Sequence, residues 1–282
     1  MVKIIADSTC DLSPELIEKY NISIIPLHII LADEEYEDGV GITPDEIYKW
    51  SDEHKTTPKT SAAAMDTIAR AFEPYKTTDD TIICFSISEQ MSTNANVMRL
   101  VAEDMEMEDR VFVIDSANLS TGIGLLVIEA AILASQGLDA TDYVSEIENL
   151  KPMVRASFVV DTLTYLHRGG RCNSVAALAG GMLRLHPRIE VADGKMDAGK
   201  KYRGKYSGVV LSYVKDMEND LLNAKKDRVF ITHSGCDENI INSVKEYLES
   251  LNYFDEILIT RAGCVISSHC GYGTLGVLFI AQ

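Results

Sequence analysis

The chain has 282 residues, of which 46% are hydrophobic, and its formal net charge is −17. This length and apolar content suffice for one large globular domain or two ordinary ones and exclude a disordered chain. The negative charge argues against nucleic acid as a partner and against a general attraction to anionic membranes, because both surfaces would repel the protein.

The first half of the chain alternates short apolar strands with amphipathic helices. We predict strands at 2–8, 22–31, 81–88 and 111–116, with Pro26 interrupting the second, and helices at 13–20, 43–54, 64–75, 92–105 and 121–137, the last capped by Gly137. Such alternation predicts an α/β fold, a parallel sheet covered by helices on both faces in three layers.

The pattern changes after about residue 160, where short strands and glycine turns become frequent. We predict a hairpin at 188–206, a strand–helix–strand unit at 228–235, 237–251 and 256–263, and a closing strand in GTLGVLFIA at 273–281. The chain is therefore divided into an N-terminal α/β domain, residues 1–160, and a smaller C-terminal α+β domain, residues 161–282.

Targeting signals and cysteine motifs are not evident in the sequence. The first residues, MVKIIADSTCDLS, turn polar after five positions, and no apolar run approaches the roughly 20 residues of a membrane span. The six cysteines include no C-x-x-C pair, so neither a zinc site nor a redox dithiol is expected. We expect a cytoplasmic protein without stable membrane insertion.

Polar clusters follow three of the predicted strands: DSTCDL (7–12), SEQMSTN (88–94) and DSANLST (115–121). In open parallel sheets, ligands bind beyond the carboxyl ends of the strands. Each cluster alone is also typical of turns and helix caps. Their coincidence at three strand ends favours a binding site.

Hydroxyl side chains are predicted at two helix starts. Ser92 would lie at the N-terminus of the helix 92–105, and Thr60 and Ser61 at the start of the helix 64–75. These hydroxyls would either cap the helices or, with the free N–H groups there, bind a carboxylate or phosphate.

Two glycine motifs match nucleotide fingerprints in letters only. Gly271, Gly273 and Gly276 spell G-x-G-x-x-G but should enter a strand rather than open a helix. GKMDAGKK resembles a P-loop but ends in Lys201, where Ser or Thr is needed, and Gly204 and Gly208 should prevent a following helix. We interpret it as a basic hairpin tip.

Nine segments, in this order, resemble the DegV family of bacterial fatty acid-binding proteins along nearly the whole chain. They are DSTCDL (7–12), IIPLHI (24–29), KTSAA (59–63), FSISEQMSTNAN (85–96), DSANLSTGIG (115–124), DTLTYLHRGGR (161–171), ADGK (192–195), ITHSGCDE (231–238) and AGCVISSHCGYGTLG (262–276).

The resemblance implies a two-domain protein with an apolar tunnel near the domain junction that holds one long-chain fatty acid. It implies a carboxylate site at Thr60, Ser61, Ser92, Thr93 and His269. It also implies a non-catalytic protein without cofactor or metal. Such a protein would present the fatty acid to a separate ATP-dependent fatty acid kinase with a dihydroxyacetone-kinase-like domain and carry away the acyl phosphate.

The predicted hairpin is unusually basic for so acidic a chain. Between Lys195 and Lys205 there are five basic side chains and one acidic one, Asp197. This segment is either a solvated turn or a docking surface for an acidic kinase or its nucleotide phosphates. The resemblance implies that Arg203 contacts the kinase. The local positive charge leads us to predict that Lys200 and Lys201 also belong to the docking surface.

The chain departs from the family pattern around the expected carboxylate site. Thr93 replaces a frequent glycine, and Ala62–Ala64 replace polar residues and proline. Another small or long-chain acid therefore remains an alternative ligand. A serine esterase or thioesterase using Ser92 and His269 is the alternative from another class, although the chain has no G-x-S-x-G elbow.

Overall fold

A computed structural model describes residues 1–136, 140–172, 174 and 185–282. The predicted cap Gly137 lies outside the described residues. The strands are β1 (Val2–Asp7), β2 (Ser23–Ile25), β3 (His28–Leu31), β4 (Glu34–Glu37), β5 (Lys59–Ser61), β6 (Thr81–Ser86), β7 (Val111–Asp115), β8 (Val154–Val159), β9 (Leu185–Ala192), β10 (Lys195–Arg203), β11 (Arg228–His233), β12 (Glu256–Arg261) and β13 (Leu275–Ile280).

The helices match most of the predicted ones to within two or three residues. They are α1 (Pro14–Lys19), α2 (Pro44–His54), α3 (Met65–Phe72), α4 (Asn94–Asp104), α5 (Thr121–Ser135), α6 (Ala140–Leu150), α7 (Thr164–Gly169), α8 (Tyr206–Asp216), α9 (Glu218–Leu221), α10 (Glu238–Ser250) and α11 (Cys264–Cys270). None of the helices in the described part of the chain is both long and apolar enough to span a bilayer.

The N-terminal sheet is fully parallel, with the strand order β2-β1-β6-β7. Its strands are buried on both faces because helices cover both. Ile5 and Ile82 pack in one cluster with Phe72 of α3 and Met98 of α4. The neighbouring residues of the same strands point the other way and pack against α5. The predicted three-layer parallel-sheet fold is confirmed.

The C-terminal sheet has six strands in the order β10-β9-β8-β13-β11-β12, and only the β11–β12 pair is parallel. This confirms the mixed character predicted for this half, its hairpin and its strand–helix–strand unit. One face packs against α8 and α10, and the other joins the cluster that contains α5. Helix α5, buried over Thr121–Ala130, thus lies between the two sheets.

The division of the chain at residue 160 stays a prediction. Strand β8, which ends at Val159, pairs with β9 and β13 and so belongs to the six-stranded sheet. The change of sheet therefore comes before β8, after helix α6.

Two predictions of helix position are wrong. Thr60 and Ser61 do not start a helix: they lie in β5, which pairs with β3 in a small antiparallel sheet of order β4-β3-β5. Pairing with β3 holds the segment extended, and α3 begins only at Met65. Gly208 does not prevent a helix either, because α8 runs through it. The valines that α8 buries outweigh the roughly 1 kcal/mol cost of an exposed helical glycine.

Candidate functional site

A cavity of about 50 Å³ lies where β5, β10, α11 and the loop after β6 meet. Its polar lining comes from Thr60, Ser61, Ser92, Arg171 and His269. The remainder of the lining is apolar and includes Leu27, Ile87, Met91, Leu119, Met196 and Ile266. We call this the head-group cavity.

The structure brings together four of the five residues expected at the carboxylate site. Thr60 Oγ1 and His269 Nε2 are joined by a hydrogen bond of 2.9 Å, and Ser61 and Ser92 line the same cavity. Thr93 does not line it: this residue is exposed and precedes the first turn of α4. Hydroxyls from two segments therefore converge on one imidazole.

Ser92 is not the N-cap residue that the sequence predicted. Helix α4 begins at Asn94, so Thr93 occupies the N-cap position, and its side chain makes no capping hydrogen bond. The backbone N–H groups of Met91 and Ser92 both donate to the Ser88 carbonyl, which adds a turn before the helix. The Ser92 hydroxyl still accepts from the Asn94 N–H at 3.2 Å and remains at the cavity wall.

His269 is held as a neutral ring. Burial, together with the nearby Arg171 guanidinium, lowers its pKa to about 4. Its Nδ1 atom is buried and has no hydrogen-bond partner among the described residues. A neutral imidazole offers one donor and one acceptor nitrogen, so it can share a hydrogen bond with a ligand oxygen without a permanent ion pair.

The helix that carries His269 is fixed at its N-terminus by two buried aspartates. Asp11 accepts from the Gly263 N–H at 2.8 Å, and Asp38 accepts from the Cys264 N–H at 2.7 Å. Burial raises the pKa of both carboxyls, that of Asp11 to about 8. Residues from the first half of the chain thus set the position of α11.

Hydrogen bonds join the three polar clusters at the strand ends. Asp7 accepts hydrogen bonds from the Ser86 hydroxyl, the Ile87 N–H and the Asn94 side chain. The Ser120 hydroxyl donates to Asp11 at 2.5 Å. The predicted convergence of the strand ends is therefore real, but Asp7 and Asp11 act as buried anchors and not as lining of the head-group cavity.

A second cavity, of about 30 Å³ and mainly apolar in its exposed surface, lies beside the first. The two cavities share Leu119, Ile266 and Cys270 in their walls. Phe158 and Leu278 of the six-stranded sheet line the second cavity. The two cavities are thus aligned, polar near His269 and mostly apolar toward the sheet, with the shared side chains between them.

Arg171 is a site residue that the sequence analysis did not single out. It lines the head-group cavity and donates from its guanidinium to the Gly169 carbonyl at 2.8 Å. Its signal was present in the segment DTLTYLHRGGR, which ends at this arginine. Nothing in the local pattern indicated that the arginine would face His269.

The basic residues of the hairpin do not lie at its tip, where the sequence predicted them. The turn consists of Asp193 and Gly194, whereas Lys200 and Lys201 are exposed near the far end of β10, beside Arg203. Lys200 forms an ion pair of 2.5 Å with Asp216. The basic side chains are spread along β10 because that strand, not the turn, contains the sequence KMDAGKKYR.

The hairpin turn contacts the loop that carries Ser92. The Ser88 hydroxyl donates to the Gly194 carbonyl at 2.7 Å, and Met196 of β10 lines the head-group cavity. The strand that bears the basic residues is therefore linked to the wall of the cavity.

The glycine motif of the final segment is structural. Gly271 and Gly273 have φ angles of +79° and +84°, which L side chains rarely adopt, and the chain then enters β13. The prediction that this motif leads into a strand is confirmed.

Hydrolytic chemistry finds no support in the geometry. Within the described parts of the chain, Ser92 makes no hydrogen bond with His269. In the same residues, no carboxylate accepts a hydrogen bond from His269 Nδ1 to orient the ring. Another buried serine, Ser234, uses its hydroxyl in a structural hydrogen bond to the Gly271 carbonyl. No group of three or more potential metal ligands occurs in residues 1–136, 140–172, 174 and 185–282.

The fold and the cavities together define a mixed α/β protein with an internal pocket between a parallel and a mixed sheet. The chain belongs to the DegV family: the family profile described as "Uncharacterised protein, DegV family" matches residues 1–282. A DegV domain-containing protein of Clostridium acetobutylicum is 32% identical over 100% of this chain and 99% of its own length. One from Caldanaerobacter subterraneus is 30% identical over 99% of this chain and 98% of its own length.

Two solved structures superpose closely on this chain. A DegV family protein from Thermus thermophilus, described by its fatty acid binding, gives a TM-score of 0.91 at 28% identity and covers 100% of this chain and 99% of its own. A stearic acid-binding protein from Eubacterium ventriosum gives a TM-score of 0.85 at 30% identity, covering 100% and 98%.

Proposed function

We propose that this protein binds one long-chain fatty acid, with the carboxylate in the head-group cavity and the acyl chain along the apolar cavity. The observation that carries the proposal is the hydrogen-bonded pair Thr60–His269 at the polar end of a path with apolar walls. The fatty acid-binding relatives from Thermus thermophilus and Eubacterium ventriosum support the same ligand class.

The head-group cavity suits a carboxylate because it combines hydroxyl donors with a neutral imidazole. Thr60, Ser61 and Ser92 can each donate an O–H to a carboxylate oxygen. Arg171 adds a positive charge at the same cavity, which favours the ionised form of the ligand. These contacts would mainly orient the ligand, since each buried methylene contributes about 0.8 kcal/mol and a long chain has many.

The cavities are smaller than ligand pockets usually are, which is about 300–1,000 Å³. With volumes of about 50 and 30 Å³, they cannot hold a long acyl chain unless the side chains between them move. Met91 and Met196 line the head-group cavity but not the apolar one, and they can repack to widen it, because methionine is unbranched and packs adaptably. We therefore expect binding to displace the shared wall at Leu119, Ile266 and Cys270.

The second part of the proposal is that the bound fatty acid is presented to a separate ATP-dependent kinase in the cytoplasm. In the reaction, a carboxylate oxygen forms a bond to the γ-phosphorus of ATP, the bond to the bridging oxygen breaks, and ADP leaves with the electron pair. An ionised carboxylate needs no general base, so this protein need only hold and expose it. Lys200, Lys201 and Arg203 on β10 are the proposed docking residues.

The ligand is tested by mass spectrometry of an organic extract of the purified protein. A stoichiometric C14–C20 acid is expected, and its amount should fall in Thr60→Val and Ser92→Ala but not in Ser212→Ala, which removes an exposed hydroxyl from α8. A protein that carries no such acid and binds none when it is supplied would refute the proposal. Rapid p-nitrophenyl ester turnover that is lost in Ser92→Ala would instead favour the esterase.

A further inference from the structure

The outer face of the small sheet β4-β3-β5 is polar beside the head-group cavity. Thr60 and Ile29 point inward, where Ile29 is buried in the core and Thr60 bonds to His269. Successive side chains of a strand point to opposite faces, so His28 and Ser61 lie on the outer face. The register places His28 and Ser61 directly opposite each other. Side chains paired in this way have Cβ atoms about 4.5–5.5 Å apart.

His28 is oriented by a carboxylate from the neighbouring strand. Its Nδ1 atom lies 2.5 Å from Glu35 Oε1. An ionised carboxylate only accepts hydrogen bonds, so Nδ1 carries a proton and donates it to Glu35. The side chain of Glu35 is 57% exposed and that of His28 is 14% exposed. The pair therefore runs from the surface into the outer face of the sheet.

The other ring nitrogen of His28 has no partner. Nε2 is buried and makes no hydrogen bond with any described residue. The Ser61 hydroxyl makes none either in the described part of the chain, although Ser61 ends β5 and borders the head-group cavity. An unpartnered buried nitrogen is costly, and the side chain paired with it across the sheet ends in this hydroxyl. A hydrogen bond between the two would connect Glu35 to the cavity.

We propose that His28 is a positioning residue for the bound carboxylate and acts through Ser61. This inference rests on the proposed function, in which a fatty acid carboxylate occupies the head-group cavity. With a proton on both ring nitrogens, His28 donates from Nε2 to Ser61 Oγ. The Ser61 hydroxyl proton is then directed to a carboxylate oxygen. The chain of hydrogen bonds runs from Glu35 to the ligand.

Fatty acid binding should therefore draw a proton onto His28. Histidine is the side chain that gains and loses a proton near neutral pH, and a nearby negative carboxylate favours the charged ring. The ligand adds one negative charge to the groups already on the surrounding elements. These are Glu35 and Glu37 on β4, Lys59 on β5, and Asp66 and Arg70, which form an ion pair, on α3.

The test is a double-mutant cycle that measures palmitate affinity of the full chain. His28→Leu should weaken binding about fivefold, the value of one hydrogen bond. In a Ser61→Ala background the same change should weaken binding by less than about twofold, because the hydroxyl through which His28 acts is absent. A disturbed sheet would instead weaken binding equally in both backgrounds. His28→Gln should retain most of the affinity, since its side-chain amide can donate to Ser61.

Proton uptake is measured by calorimetric titration of palmitate at pH 7.5 in phosphate and in Tris, because the two buffers release different heats when they supply a proton. Wild type should take up more protons than His28→Gln, by up to about one per ligand. His54→Leu is the matched control: His54 is exposed, and its Nδ1 atom bonds to the Trp50 carbonyl. It should change neither affinity nor proton uptake.

Three outcomes would overturn the role of His28. They are equal losses of affinity from His28→Leu in both backgrounds, no loss in either, and equal proton uptake in wild type and His28→Gln. A wild-type protein that binds no palmitate would overturn the proposed function itself.

Discussion

Gly169, the last residue of α7, lies against the imidazole of His269. A Cβ atom placed on Gly169 would come within 2.5 Å of His269 Nδ1, well inside normal contact distance. The approach explains why the segment HRGGR has a glycine at this point, since any side chain would push the ring away from Thr60. The end of α7 thus forms one wall against which the ring is held.

Gly169→Ala should reduce fatty acid affinity about tenfold, because displacing the ring removes its hydrogen bond at the head-group cavity. Competition with a fluorescent fatty acid would measure the loss. Gly208→Ala is the control: its Cβ would meet nothing within 4 Å, so binding should be unchanged. Its stability should rise by up to about 1 kcal/mol. Wild-type affinity in Gly169→Ala would show that fatty acid binding does not depend on the position of the His269 ring.

The lowered pKa of His269 predicts a pH dependence of stability. The pKa is about 4 in the folded protein against an ordinary 6.5, so the unfolded chain takes up the proton first as the pH falls. The stability due to the neutral ring is complete above pH 6.5 and is lost between about pH 6.5 and 4, by up to about 3 kcal/mol.

Urea unfolding at pH 7 and pH 4.5 would measure this effect. Wild type should lose about 2 kcal/mol more than His269→Gln over this interval. His54→Gln changes an exposed histidine and should behave as wild type does. Parallel pH profiles for wild type and His269→Gln would contradict the assigned pKa.

Asp11 predicts a pH dependence of the opposite sign. Burial raises its pKa to about 8 from an ordinary 3.8, so stability decreases as the pH rises through this range and the unfolded carboxyl ionises first. Asp11→Asn does not titrate. Its stability relative to wild type should therefore improve by about 3 kcal/mol or more between pH 5 and pH 8.

Unfolding by urea at both pH values would compare Asp11→Asn with Asp255→Asn, which alters an exposed aspartate. The latter should follow wild type. A constant difference between Asp11→Asn and wild type would mean that Asp11 is already ionised at pH 5, despite its burial.

Local patterns predicted most of the fold, because strands such as β1 and β6 and helices such as α5 carry their burial pattern in consecutive residues. The small sheet β4-β3-β5 was not predicted as a sheet, since β4 and β5 have only four and three residues and β5 pairs with β3 across the intervening helix α2. The short helix α11 was not expected among the glycines and serines around His269.

Prediction of the candidate site depended on resemblance more than on residue chemistry. Sequence patterns predicted Ser92 and Thr60 as hydroxyls near helix starts. They did not predict that Thr60 would contact His269, which is 209 positions away in the chain. Arg171 was missed for the same reason: its proximity to the imidazole arises from packing between α7 and α11. The expected tunnel is not a single open channel, because Leu119, Ile266 and Cys270 separate the two cavities.

The basic residues of β10 predict salt-sensitive coupling to a kinase. Replacing Lys200, Lys201 and Arg203 by Ser should lower the rate of acyl phosphate formation about tenfold at low salt and subsaturating kinase. The effect should shrink at high salt, because exposed charges are screened, and palmitate affinity should not change. A coupled assay for ADP would measure the rate.

The control for this variant removes three exposed lysines elsewhere, Lys49, Lys76 and Lys226, also to Ser. The net charge changes equally, so a general electrostatic effect would appear in both variants. Unchanged turnover in the β10 variant at low salt, or an equal loss in the control, would exclude docking through β10.

The hydrogen bond from Ser88 to Gly194 predicts that the hairpin turn and the head-group cavity are coupled. Ser88 is buried, and its loss leaves the Gly194 carbonyl without this donor, at a cost of about 1–3 kcal/mol. In Ser88→Ala we expect faster amide exchange over residues 188–203. We also expect weaker palmitate binding, because Met196 is held by the same turn.

Ser250→Ala is the control. It removes an exposed hydroxyl that also bonds a backbone carbonyl and should change neither property. Exchange that increases while palmitate affinity stays at the wild-type value would show that the hairpin moves independently of the cavity.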